Sequence, residues 1–79
     1  MKPGKLYKTK YEITFDGINA EEYYTGGHTL PPDTIVLFLK SSEHMTTPWT
    51  KKYVLHKGKI LIRIVRFGDF ESWFEKVSL

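Results

Sequence analysis

From residue 7 to residue 15 the chain alternates, with Tyr7, Thr9, Tyr11, Ile13 and Phe15 on one parity and Lys8, Lys10, Glu12 and Thr14 on the other. A period of two marks a strand with one buried face, and Asp16-Gly17 is expected to end it in a turn. Residues 18–32 lose the pattern. They read as a long excursion with a helical turn over residues 20–24, then the breakers Gly26-Gly27 and Pro31-Pro32. The run IVLFL at 35–39 is β-branched and aromatic, short enough for a strand covered on both faces. Residues 41–50 are expected to form a polar loop closed by Pro48.

Residues 53–56 and 59–67 predict a hairpin around Lys57-Gly58. With a two-residue loop, His56 faces Lys59, Leu55 faces Ile60, Val54 faces Leu61, Tyr53 faces Ile62 and Lys52 faces Arg63. That register places Tyr53, Leu55, Ile60, Ile62 and Ile64 on one face, expected to be a core wall. Lys52, His56, Lys59 and Arg63 then gather on the other, around Val54 and Leu61. A slip of one residue would mix the faces. A three-residue loop with Gly58 left-handed competes, because the tight loop prefers Asn-Gly to Lys-Gly.

The tail GDFESWFEKVSL supports two readings. Phe70, Trp73, Phe74 and Val77 fall at helical spacing behind Asp69 as an N-cap, whereas Trp73, Glu75, Val77 and Leu79 alternate. One helical turn at 69–72 followed by a short last strand is the expectation, and a helix throughout is its competitor.

Four or five short strands, a long first loop and a helical turn before the last strand describe a small all-β barrel of about five strands. The succession GKLYKTKYEI, a turn-rich excursion, LPPDTIVLFLK, YVLHKGKILIRI and SWFEKVSL resembles the Src-homology-three type of barrel. It resembles more narrowly the short barrel proteins of that type encoded in bacteriophage genomes, which tend to open with a Met-Lys-x-Gly strand start. The likeness covers most of the chain, rests on pattern, and implies a phage-type accessory protein. The Ala-Leu-Tyr-Asp-Tyr motif and the paired tryptophans of the eukaryotic signalling domains are missing, so their proline-rich peptide binding is not implied.

Size and composition narrow the function classes. At 79 residues the chain reads as a single domain, 1–79, with a thin stability margin, since a domain this small buries only about 60% of its unfolded surface. The absence of cysteine excludes disulfides, thiolate metal sites and a cysteine nucleophile, and five Phe, five Tyr and two Trp supply the core instead. No apolar signal-like region opens the chain and no apolar run nears the length of a membrane span, so a soluble cytoplasmic protein is expected, in the host cell if viral.

The stretch 51–67 holds Lys51, Lys52, Lys57, Lys59, Arg63 and Arg66 and no carboxylate, within a formal net charge of +3. Two accounts compete: Glu71 or Glu75 from the tail neutralises the patch, or a phosphate backbone does. Trp49 and Tyr53 beside Lys51 and Lys52 provide the ring-plus-cation pairing of a single-strand groove. Lys2, Lys5, Lys8 and Lys10 would extend that surface if the first strand lies beside the hairpin. Nonspecific nucleic-acid binding through Lys51, Lys52, His56, Lys57, Lys59 and Arg63 is therefore one reading. The preferred one is protein binding through the loop aromatics Tyr23 and Tyr24 with Met45 and Trp49, as exposed rings and Met are enriched in interface cores.

Catalysis finds little support. His28, His44 and His56 have no metal-ligand spacing, and Ser41, Ser42, Glu43 and His44 lack an orienting acid. Gly26-Gly27 has no phosphate-loop context, and the neighbours Glu21 and Glu22 point apart. The expectation is a non-enzymatic binding module without cofactor or metal, a monomer or weak homodimer with a protein partner, nucleic acid as the second partner class, and no membrane.

Overall fold

The computed structural model describes residues 1–19, 21, 23–43, 49–66 and 68–77. It is all-β. The strands are β1 (Leu6–Thr9), β2 (Ile13–Ile18), β3 (Tyr24–Leu30), β4 (Ile35–Glu43), β5 (Trp49–His56), β6 (Lys59–Arg66) and β7 (Phe74–Lys76), with a 3-10 turn at Phe70–Trp73 before the last. They form one open antiparallel sheet of seven strands in the order β3-β2-β6-β5-β4-β1-β7, in place of the expected five.

The sheet has to curl. β1 and β2 are consecutive in the chain, yet β6, β5 and β4 lie between them. On a flat sheet that gap is about 19 Å, whereas the step from Thr9 to Ile13 reaches at most about 14 Å. The two strands were one in the sequence pattern, and their parity survives the break: Tyr7, Thr9, Ile13 and Phe15 are all buried. Tyr11 departs from it at 59% exposure, because it sits in the link where Lys10 N–H donates to the Trp73 carbonyl at 2.8 Å.

The concave side holds the core. Tyr7, Phe15, Val36, Phe38, Val54, Leu61 and Val65 meet there, and Phe70 and Phe74 close over them, the Phe70 ring lying 6.2 Å from Phe15 and 4.7 Å from Phe74. The one deeply buried hydroxyl at the β1 end is satisfied. Thr9 Oγ1 donates to the Pro31 carbonyl and accepts the Thr34 N–H, both at 2.9 Å, so no desolvated polar atom is left there.

Asp16-Gly17 does not end a strand. β2 continues to Ile18, and Gly17 is required by close approach, since a Cβ there would lie 2.6 Å from Thr25 Oγ1 and 2.7 Å from His28 Nε2. The excursion is instead a second hairpin, with β3 paired to β2 from Ile13–Leu30 to Ile18–Tyr24 and Gly26-Gly27 inside the strand. Where a helical turn was expected, Asn19 Oδ1 accepts the N–H groups of Glu21 (2.9 Å) and Tyr23 (3.1 Å), a side-chain-held reversal. Ala20 and Glu22 lie outside the described residues. β4 and β5 also take up the described half of the expected loop at 41–50; residues 44–48 lie outside the described residues.

The β5–β6 register is the expected one, from His56–Lys59 to Lys52–Arg63 and on to Trp49–Arg66. Lys57 (φ 49°) and Gly58 (φ 76°) are both left-handed, which fits the two-residue loop. Its facing is reversed. Val54, Leu61 and Val65 enter the core, whereas Ile60 is 41% exposed on the convex side and Leu55 and Ile64 are half-buried there. Tyr53 and Ile62 are buried, but outside the concave cluster. Both parities of this ribbon are apolar, so alternation fixed the pairing and left the choice of face to the rest of the curled sheet. The concave side accepts the cations because their stems run over aromatic faces: Lys52 Nζ lies 6.0 Å from the Phe70 ring centre, and Arg63 Cζ 5.7 Å from that of Trp73.

The run at 35–39 is likewise not covered on both faces, since Ile35 is 50% exposed and Leu37 is half-buried. The tail follows the turn-then-strand reading. Asp69 makes no capping bond; Ser72 Oγ donates to its carbonyl at 2.7 Å. β7 pairs with β1, not with the hairpin.

Candidate functional site

The curl divides the hairpin cations between two faces. Lys51 and Arg66 lie with Ile64 and Trp49 on the convex side, Lys52, His56, Lys59 and Arg63 on the concave side, and Lys57 at the turn. Several are engaged with rings or backbone: Arg63 Nη1 donates to the Thr14 carbonyl at 2.6 Å, and Arg66 Cζ stands 5.8 Å from the Trp49 ring centre. The tail does not neutralise them. Glu71 binds the Met1 amine, and Glu75 pairs with Lys8 at 3.6 Å. The bond and charge of that amine hold the Glu71 carboxyl below its usual range, burial opposes this, and Lys52 adds only a smaller pull. β1 pairs with β4 and β7, so its lysines do not extend the hairpin surface along the sheet.

The loop aromatics do not form one patch. Tyr23 and Tyr24 are exposed at the β2–β3 reversal, at the same end of the sheet as Gly58, with which Asn19 lines a cavity. Trp49 is at the far end of β5, about 23 Å away along the strand, with Arg66 on its ring. Met45 and His44 lie outside the described residues.

A continuous apolar surface lies elsewhere. On the convex face Leu6 is paired with Leu37, Leu37 with Leu55, and Leu55 with Ile60, a row crossing β1, β4, β5 and β6. Leu6 (39%), Ile60 and the neighbouring Ile35 are exposed, and Leu37 and Leu55 are half-buried. Each end of the row opens into a concavity. Beside Leu6 one of about 430 Å³ is lined by Lys2, Lys5, Lys76, Gly4 and Val77, and beside Ile60 one of about 380 Å³ is lined by Gly17, Ile18, Asn19, Thr25, His28, Gly58 and Lys59. Among the described residues, no carboxylate lines either. The sequence signal for this surface was the apolar content of both parities in IVLFL and ILIRIV, which a half-buried strand does not need.

Two further hollows carry polar chemistry. His28 and His56, far apart in sequence, share a cavity of about 230 Å³ with Lys57, Lys59, Leu30 and Leu61. Arg63 and Trp73 line a cleft of about 290 Å³ with Tyr11, Glu12, Ile13 and Thr14. Among the described residues, no three His, Cys, Asp or Glu side chains gather as a metal site would require, and no helix is long and apolar enough to cross a membrane.

No family model matches the chain, and no curated protein or solved structure matches it significantly.

Proposed function

We propose that the chain is a non-enzymatic protein-binding module, a curled elaboration of the Src-homology-three-like barrel serving as a phage-type accessory protein. The observation that carries this reading is the Leu6–Leu37–Leu55–Ile60 row, whose end concavities are lined by Lys2, Lys5 and Lys76 at one end and by Lys59 at the other, with no carboxylate among their described lining residues. Exposed apolar patches of this kind mark interaction sites, and the lysines at the two ends favour acidic side chains there, whereas Lys8 beside Ile35 is already paired with Glu75 and Asp33. The partner is then a protein segment with Leu, Ile or Phe anchors beside Asp or Glu. Tyr24 lies at the Ile60 end, where it can add to the contact; Trp49 does not.

Selection from a displayed random-peptide library tests this. The retained peptides are expected to be acidic and apolar, and Ile60→Asp should weaken them more than about tenfold, the cost of losing an interface anchor. Folded Ile60→Asp binding the same peptides unchanged would overturn the reading.

Nucleic-acid binding is the second reading, favoured by one observation: among the described residues, Lys51, Lys52, Lys59 and Arg66 have no carboxylate partner. It predicts binding to short DNA and RNA that falls steeply between low and moderate salt and is lost in Lys51→Glu/Lys59→Glu. The division of these cations between two faces counts against it.

A further inference from the structure

We infer that the open end of the barrel, at the β5–β6 turn, is a binding site for a phosphate monoester. Four cationic or protonatable side chains converge there from three strands and a turn: His28 on β3, His56 on β5, Lys59 on β6 and Lys57 between the last two, over a floor of Leu30 and Leu61. The floor is dry, with Leu30 5% and Leu61 1% exposed. An anion entering the hollow therefore meets cations on an apolar base, where charge-assisted hydrogen bonds are stronger than in open water.

The donors are free. Among the described residues, neither lysine has an ion pair and the His28 ring makes no hydrogen bond, while His56 Nδ1 lies 3.3 Å from the Ile35 carbonyl. That carbonyl can only accept, so Nδ1 carries a proton, and Nε2 donates to an anion when the ring is the imidazolium. No acid competes. On β2 the Asp16 side chain lies on the other face, with Ile62 as its partner; Asp33, before β4, is held by Lys8 at 3.8 Å; Glu21 is exposed in the β2–β3 reversal and lines neither neighbouring cavity.

Shape narrows the ligand. A water occupies about 30 Å³, so about 230 Å³ holds a phosphate group with a short organic chain or a few waters. Among the described residues, no aromatic ring lines the hollow, so a nucleobase finds no stacking partner there, which favours a small monoester over a polynucleotide. The hollow shares His28 and Lys59 with the concavity at the Ile60 end of the docking row, but its test needs no peptide.

The experiment is a titration of the whole chain, followed by the imidazole and backbone NMR signals, with glycerol phosphate, inorganic phosphate and a dinucleotide carrying only a bridging phosphodiester. The monoester is expected to saturate and to shift His28 and His56 together. Free phosphate binding equally well would assign the site to the inorganic ion, keeping the phosphoryl chemistry and removing the ester. Preference for the diester would overturn the monoester assignment. His56→Ala and Lys59→Gln should each weaken binding about tenfold; Lys59 is exposed, so Lys59→Gln reports on charge even if His56→Ala disturbs the fold. Linear, unsaturated shifts, or affinity unchanged in both variants, would overturn the site.

Discussion

The two hairpins that meet where β2 lies against β6 hold themselves together by different means. β5–β6 closes in two residues and pairs without a slip from His56–Lys59 to Trp49–Arg66. β2–β3 reverses over residues held by one Asn side chain, shifts register between Gly17 and Ile18, and carries Gly17, Gly26 and Gly27 within its strands. The first is specified by its own ribbon. The second is specified by what it leans on, since Gly17 exists to let His28 and Thr25 come close. The β5–β6 ribbon nevertheless cannot decide which of its faces turns inward, because both are apolar; the Phe15, Phe70 and Phe74 rings decide it.

The sharpest way to break this comparison is to cut the same ribbon on its two faces. Leu61→Ala empties a fully buried core position and should cost about 2–5 kcal/mol. Ile60→Ala, next to it on the exposed face, should cost under about 1 kcal/mol. For a chain this short the first difference lowers Tm by about 10 °C or more. Calorimetry showing Ile60→Ala as the more damaging change would reverse the faces assigned here and remove the convex docking row.

The glycines of β2–β3 give a second, smaller contrast. Gly17→Ala should cost about 1–3 kcal/mol through overpacking against Thr25 and His28. Gly27→Ala meets only the Thr14 methyl at 3.7 Å and the Phe15 carbonyl at 4.0 Å, so it should stay within about 0.5 kcal/mol of the parent. His28→Ala should recover part of the Gly17→Ala loss in a double-mutant cycle on urea midpoints. Strict additivity would mean that the imidazole is not what Gly17 makes room for.

The same contrast explains what could be read from the residues. Parity located the core of β1 and β2 at Tyr7, Thr9, Ile13 and Phe15, and cross-strand matching located the β5–β6 register, because each depends on near neighbours. Strand order could not be read. Nothing at Lys10–Glu12, neither Gly nor Pro, announces that one alternating run must bend between distant parts of a sheet. Gly26-Gly27 reads as a breaker unless β2 is known to need a small-residue partner. Of the candidate site, His56, Lys57 and Lys59 were legible as a local cluster, but His28 joins them only through curling. The loop aromatics do not come together, because Tyr24 and Trp49 each begin a strand and β3 and β5 run in opposite directions, which sets them at opposite ends of the sheet.

The smallest effect concerns the turn that made β5–β6 legible. Lys57 occupies a left-handed conformation at φ 49°, which costs an ordinary side chain about 1–2 kcal/mol and an Asn or Gly less. Lys57→Asn should therefore raise stability by about 0.5–1 kcal/mol, seen as a higher urea midpoint at unchanged slope. Gly58→Ala, at φ 76°, should lose about 1 kcal/mol, although its Cβ would meet nothing within 4 Å, because the penalty is conformational. A destabilising Lys57→Asn with the Gly58→Ala loss retained would point to the three-residue loop, in which Gly58 alone is left-handed. The pairs from His56–Lys59 to Lys52–Arg63 would then lose the turn that anchors them, and the reversal of faces would have to be explained by register rather than by the core.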